Sequence, residues 1–185
     1  MAPSWDGRKN YRVWDANRKV FVYPDNWIEP DQRISPRLES QVRDVAKAAY
    51  GQRTSVLLTS APAAATPVTG RALAASLERD LYRVDLRDIV TKYIGETEKN
   101  ITRVFEAAES AGAVLLFDEA DALFGKRSEA ADTPDRYHNA EISYLLQRIE
   151  AFDGLVIVTT NSTRESIEPF ARRFSFVIDQ ISRDS

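Results

Sequence analysis

Ala113-Val114-Leu115-Leu116-Phe117-Asp118-Glu119-Ala120-Asp121 has the pattern of a buried strand that ends in acids. Five apolar residues run unbroken into Asp118 and Glu119, and so short a run suits a strand covered on both faces, as in a parallel sheet. The carboxylates then lie at its C-terminal end. In an open α/β sheet that is the end where ligands bind, and paired acids there suit a hydrated Mg²⁺ and the polarisation of a water. The same residues equally describe a strand that leaves the core through a solvated acidic turn.

On both sides of this strand the pattern alternates between helix and strand. Ser35 suits a helix cap and Pro36 the first helical position, and Leu38, Val42, Val45, Ala46 and Ala49 share one face until Gly51. A strand is expected over Thr54–Thr59, a helix over 66–77, a strand over Leu81–Asp85 and a helix over Glu96–Ala111. In the last of these Ile101, Val104, Phe105 and Ala108 recur at helical spacing. Beyond the acids, a helix is expected over 139–152, with Ile142, Leu145, Leu146, Ile149 and Phe152 facing inward. Strands over 155–160 and 174–179 complete a count of five. Strands alternating with helices imply βαβ crossovers, hence a five-stranded parallel sheet in a three-layer α/β fold.

Composition bounds the function. With 185 residues the chain can form one main domain plus a short appendage. A net charge of -3 gives no reason to expect nucleic acid or an anionic membrane as partner. The absence of cysteine excludes disulfides and thiolate metal sites and fits a reducing cytoplasm. No apolar run approaches the ~20 residues that span a bilayer, and no signal-peptide pattern opens the chain, so a cytoplasmic protein is expected.

Residues 1–35 differ from the rest and are read as an aromatic N-terminal extension to a core over 36–185. Trp5, Trp14 and Trp27 all lie here with Tyr11, Phe21 and Tyr23. Two runs of strand formers, 11–14 and 19–23, flank Asp15-Ala16-Asn17-Arg18, which reads as a hairpin loop. An isolated hairpin is marginal in water, so these aromatics need a surface to pack on, and packing within the chain is favoured over docking to a partner.

Four ordered segments resemble the AAA+ ATPase family. Tyr93-Ile94-Gly95-Glu96-Thr97-Glu98-Lys99-Asn100 is similar to the stretch after the second strand, whose aromatic-aliphatic pair lines the pore of a ring. Leu115 to Asp121 resembles the Walker B strand, Val156-Ile157-Val158-Thr159-Thr160-Asn161 the sensor 1 strand, and Phe170-Ala171-Arg172-Arg173-Phe174 the arginine-finger segment. By resemblance, Asp118 orders Mg²⁺, Glu119 and Asn161 position the attacking water, Arg172 and Arg173 serve a neighbouring subunit, and Tyr93 and Ile94 grip a translocating polypeptide. The resemblance covers about residues 36–180. It also implies a helical lid after the arginine finger, which a chain ending at Ser185 is expected to lack.

The phosphate loop departs from the family. Where the family has GPPGTGKT, this chain has Ser60-Ala61-Pro62-Ala63-Ala64-Ala65-Thr66-Pro67. Such a loop needs glycines to turn its N–H groups around phosphates, a lysine for the β and γ phosphates and a hydroxyl on Mg²⁺. Here Ala63 and Ala65 stand at glycine positions, Ser60 at another, Thr66 at the lysine and Pro67 at the hydroxyl. Thr66-Pro67 instead makes a good helix start, because the hydroxyl can accept an orphan N–H and proline tolerates the first turn. The expectation is a retained fold without ATP binding and with no cofactor.

Two further segments bear on partners. His138 reads as a helix-start residue, and residues 126–137 as a polar loop similar to a second pore loop. Tyr11 to Pro30 resembles a segment of the large A subunits of bacterial Tc insecticidal toxins, while Tyr93 to Asn100 and Glu141 to Asn161 resemble ATPases encoded with bacterial contractile injection systems. The resemblances imply protein partners among toxin or injection components, in a homo- or hetero-oligomer. The expected function is a nucleotide-independent binding or assembly module. The alternatives are an ATPase that remodels protein assemblies through an atypical loop, with ATP and Mg²⁺ as cofactors, and a fragment or inactivated variant of a longer ATPase.

Overall fold

The computed structural model describes residues 7–25, 34–60, 66–124 and 134–180. Its helices are α1 (Gly7–Asn10), α2 (Pro36–Ala49), α3 (Thr66–Ser76), α4 (Glu96–Ala111), α5 (Asp121–Phe124), α6 (Pro134–Ala151) and α7 (Glu168–Ala171). Its strands are β1 (Tyr11–Asp15), β2 (Val20–Val22), β3 (Thr54–Thr59), β4 (Leu81–Asp85), β5 (Val114–Asp118), β6 (Leu155–Thr159) and β7 (Phe176–Asp179). One seven-stranded sheet runs in the order β2-β1-β4-β5-β6-β3-β7. The pairs from β1 to β7 are parallel, and only β2 is antiparallel to its neighbour. The expected five parallel strands are β3 to β7.

Two cores make the three layers. On one face Leu57, Val84, Leu115, Phe117, Val156 and Val158 pack against Ile101, Val104 and Phe105 of α4 and Leu145 and Ile149 of α6. On the other, Val56, Leu58, Leu116 and Ile157 pack against Val42 and Val45 of α2 and Leu73 and Ala74 of α3. Every residue of β5 is buried, as its unbroken apolar run requires.

Local chemistry accounts for the boundaries. The Ser35 hydroxyl accepts the Leu38 N–H at 3.3 Å, with Pro36 opening α2. Gly112, at φ 62°, ends α4 by donating its N–H to the carbonyls of Ala108 and Glu109. Two expected boundaries are corrected. α6 begins at Pro134, not at 139, since a proline is compatible with the first helical turn. β7 begins at Phe176, not at 174. There the Ser175 N–H donates to the Ser55 hydroxyl at 3.1 Å and the Ser55 N–H to the Ser175 hydroxyl at 3.2 Å, so side chains take the place of ladder bonds.

The aromatic hairpin extends the sheet. β1 lies parallel to β4, with Tyr11 opposite Leu81 and Val13 opposite Arg83. Asp15 Oδ1 accepts the N–H groups of Asn17 and Arg18, which builds the turn between β1 and β2. Trp14 is buried and meets Phe21 edge-on at 5.2 Å, and Phe21 meets Tyr82 of β4 at 4.4 Å. Packing within the chain therefore holds for Tyr11, Trp14 and Phe21; Trp5 and Trp27 lie outside the described residues. Among the described residues no helix is long and apolar enough to cross a membrane.

Candidate functional site

Parallel strands bring the C-terminal ends of β4, β5, β6 and β3 into one row. Asp85 is opposite Asp118, and Phe117 is opposite Val158, which places Thr159 beside Asp118. Three backbone bonds stitch this edge together: Ala120 N–H to the Thr159 carbonyl, Thr160 N–H to the Leu58 carbonyl, and Ser60 N–H to the Ser162 carbonyl, at 3.0, 3.0 and 3.1 Å.

Asp118 is 4% exposed, and its two oxygens are fully engaged. Oδ1 accepts the Thr159 hydroxyl at 2.6 Å and the Glu119 N–H at 2.9 Å. Oδ2 accepts Nε–H of Arg83 at 3.1 Å and a second guanidinium N–H from Nη2. Arg83 in turn lies 3.5 Å through Nη1 from the Tyr11 hydroxyl of the hairpin. Burial disfavours the charge on Arg83, but Tyr11 and Asp118 outweigh it and hold the guanidinium proton more tightly than usual.

Glu119 follows in the left-handed region at φ 58°. A non-glycine residue held there costs about 1–3 kcal/mol, and such strain gathers at functional sites. The Asp118 carboxylate fixes this turn by holding the Glu119 N–H.

Asp121 organises the adjoining loop. It accepts the Thr160 hydroxyl at 2.7 Å, the Ser162 hydroxyl at 2.8 Å and the Asn161 N–H at 2.9 Å. Burial opposes ionisation here, yet these hydrogen bonds prevail and keep the carboxyl below its ordinary range. A depressed carboxyl contributes stability that is complete above its unfolded pKa of about 4 and is lost as pH falls through the lower folded value. Asp121→Ala is expected to cost about 2 kcal/mol at neutral pH. In urea unfolding at a series of pH values, its difference from wild type should shrink below about pH 4; a constant difference would show that the loop does not depend on the charge.

The other expected site residues divide by place. The Asn161 side chain is exposed at the same edge as Glu119. Tyr93 and Ile94 are 63% and 76% exposed, just before Gly95 at the head of α4. Arg172 and Arg173 precede β7 and so sit at the opposite end of the sheet from Asp118. Arg172 Nε donates to Glu168 at 3.2 Å and Arg173 Nε to Glu150 at 2.8 Å. Ser60 closes β3 at φ 50°. Ala63 and Ala65 lie outside the described residues, as do the side chains of Thr66, Pro67 and His138 and most of the loop read over 126–137. The backbone of α3 starts at Thr66, where the sequence expects a helix start.

The sequence names Thr159, Asp121 and Tyr11 within its segments but gives none of them, nor Arg83, a role at the site. Arg83 carried a signal: it is a charged residue within a strand that alternation and neighbouring helices mark as covered on both faces.

The residues present do not fit a divalent cation at Asp118. A carboxylate offers about four lone-pair positions, and protein donors fill all of them here. Among the described residues no group of three or more His, Cys, Asp or Glu side chains is placed to hold a metal ion.

Comparison with known proteins matches residues 56–180 to the model of the ATPase family associated with various cellular activities (AAA), and residues 1–38 to that of the ABC toxin N-terminal region. The cell division cycle protein 48 homolog of Archaeoglobus fulgidus is 27% identical over 119 residues, covering 64% of this chain and 16% of that protein. An uncharacterized AAA family ATPase of Sinorhizobium fredii, y4kL, is 32% identical over 131 residues, 68% of this chain and 38% of its own length. The 26S proteasome regulatory subunit 10B of Dictyostelium discoideum is 33% identical over 111 residues, 57% and 28% of the two chains. The chain thus spans well under half the length of these relatives. With β5 and β6, the strands that resemble Walker B and sensor 1, side by side in a parallel sheet and the family model matched over residues 56–180, the chain belongs to the AAA ATPase family.

Proposed function

We infer that this chain is an AAA module whose phosphate-binding loop is ablated, and that it serves as a nucleotide-independent binding or assembly component of bacterial toxin-delivery or contractile injection machinery. One observation carries the reading: Ser60 to Pro67 contains neither glycine nor lysine. Without the lysine, a full positive charge is missing beside a polyphosphate, and alanines disfavour the backbone conformations that wrap one. The toxin connection rests on the match over residues 1–38 and on the resemblances of the extension and the core. AAA proteins generally oligomerise and act on protein partners, and the exposed Tyr93, Ile94, Arg172 and Arg173 are surfaces on which such contacts are made in this reading.

The deciding experiment titrates ATP, with Mg²⁺, into the purified chain while light scattering records its mass. No binding at millimolar ATP is expected, and saturable binding lost on mutation of residues 60–67 refutes the reading. A second reading, an ATPase that remodels protein assemblies, is favoured by the strained Glu119 standing at one edge with Asn161. Phosphate release that disappears in Glu119→Gln would establish it.

A further inference from the structure

Asp118 already has a cation. Both Arg83 bonds end on Oδ2, while Thr159 and Glu119 use Oδ1, so the carboxylate has no free position toward solvent. The guanidinium is bracketed by two strands that the chain order separates widely. β5 supplies the acid on one side, and β1 supplies Tyr11 on the other, its hydroxyl 3.5 Å from Nη1. The neighbouring acid of the row also pairs with an arginine, though an exposed one that spans both its oxygens: Arg87 Nε donates to Asp85 Oδ1 at 3.0 Å and Nη2 to Oδ2 at 2.6 Å.

We propose that Arg83 is the resident counter-ion of Asp118, standing where a divalent cation would, and that the N-terminal hairpin braces it there through Tyr11. The two cations exclude each other. Mg²⁺ demands an octahedral oxygen shell and gives up its water reluctantly, so it cannot share a carboxylate whose lone pairs are taken. A guanidinium left a few ångströms from a bound dication would also be repelled strongly in a partly buried site. The hairpin that matches a toxin region is thereby wired to the Walker B acid through one hydroxyl and one guanidinium. This inference shares with the proposed function the view that the site is altered, but it fails separately, because its test contains no nucleotide.

The test reads arginine Nε–H signals by NMR of the full ¹³C,¹⁵N-labelled wild-type chain, with the Arg83 signal assigned through its own side-chain carbons. Its Nε–H is expected to exchange with water at least about tenfold more slowly than those of exposed arginines, as a charge-assisted, part-buried hydrogen bond should. Millimolar MgCl₂ alone should leave that signal and its exchange unchanged. Tyr11→Phe should speed the exchange several-fold without altering the amide spectrum elsewhere. Exchange as fast as that of exposed arginines, or a Mg²⁺-dependent shift with accelerated exchange, overturns the counter-ion assignment. Unaltered exchange in Tyr11→Phe overturns the part given to the hairpin. The wild-type measurements decide the first point even should a variant fail to fold.

Discussion

Arg83→Met is expected to lower folding stability by about 3 kcal/mol, the low end of the range for removing one partner of a buried ion pair. Asp118 is 4% exposed and loses two of its donors, while the apolar replacement offers none. The Arg83 side chain is 31% exposed, so water can reach part of the gap, which places the loss at the low end. Neutralising the acid as well, in Arg83→Met with Asp118→Asn, should recover part of the loss, since the amide keeps an acceptor for Thr159 and Glu119 without an unpaired charge. Urea unfolding of the two single variants and the double variant gives the coupling directly. A loss below about 1 kcal/mol with no coupling would mean that the pair behaves as a solvated surface bridge.

Trp14→Ala is the second large effect, again about 3 kcal/mol. Truncating a buried tryptophan costs about 3–5 kcal/mol through lost burial and the cavity left behind. Trp14 is 5% exposed and packs on Phe21, which in turn packs on Tyr82 of the adjacent strand. Its indole N–H is buried without an acceptor among the described residues. Removing an unsatisfied donor offsets part of the cost, which sets the expected value at the lower limit. Trp14→Phe keeps most of the ring and drops that donor, so it should stay within about 1 kcal/mol of wild type. Chemical unfolding measures both, and hydrogen exchange at the Arg83 amide, which faces β1, shows whether the hairpin has left the edge of β4. A neutral Trp14→Ala would mean that the hairpin contributes little to the sheet.

These two residues mark where reading the chain succeeded and where it stopped. The five parallel strands and the helices between them follow from unbroken apolar runs and helical spacing, as in Val114 to Phe117 and in Ile101, Val104, Phe105 and Ala108. Such patterns are local, and each element announces its buried face within a few residues. The hairpin was legible as a hairpin, because Asp15 and the turn after it are adjacent in sequence. Its destination was not, for nothing in Tyr11 to Val22 specifies the outer edge of β4.

The candidate site shows the same division. Ordered motifs offer Asp118, Glu119, Asn161, Tyr93, Ile94, Arg172 and Arg173 as expectations, and residues 60–67 contain neither glycine nor lysine. That Arg83 closes the Asp118 carboxylate is not legible there, because the pair joins residues 35 positions apart and its brace from Tyr11 spans 72. Side-chain chemistry tells that a guanidinium and a carboxylate can meet, but strand order and register determine whether they do. Here β4 lies between β1 and β5, and only that arrangement puts Tyr11, Arg83 and Asp118 in line. Local periodicity thus sets the elements and ordered motifs point to the family, while the meaning of the acid at the end of β5 depends on which strands the sheet places beside it.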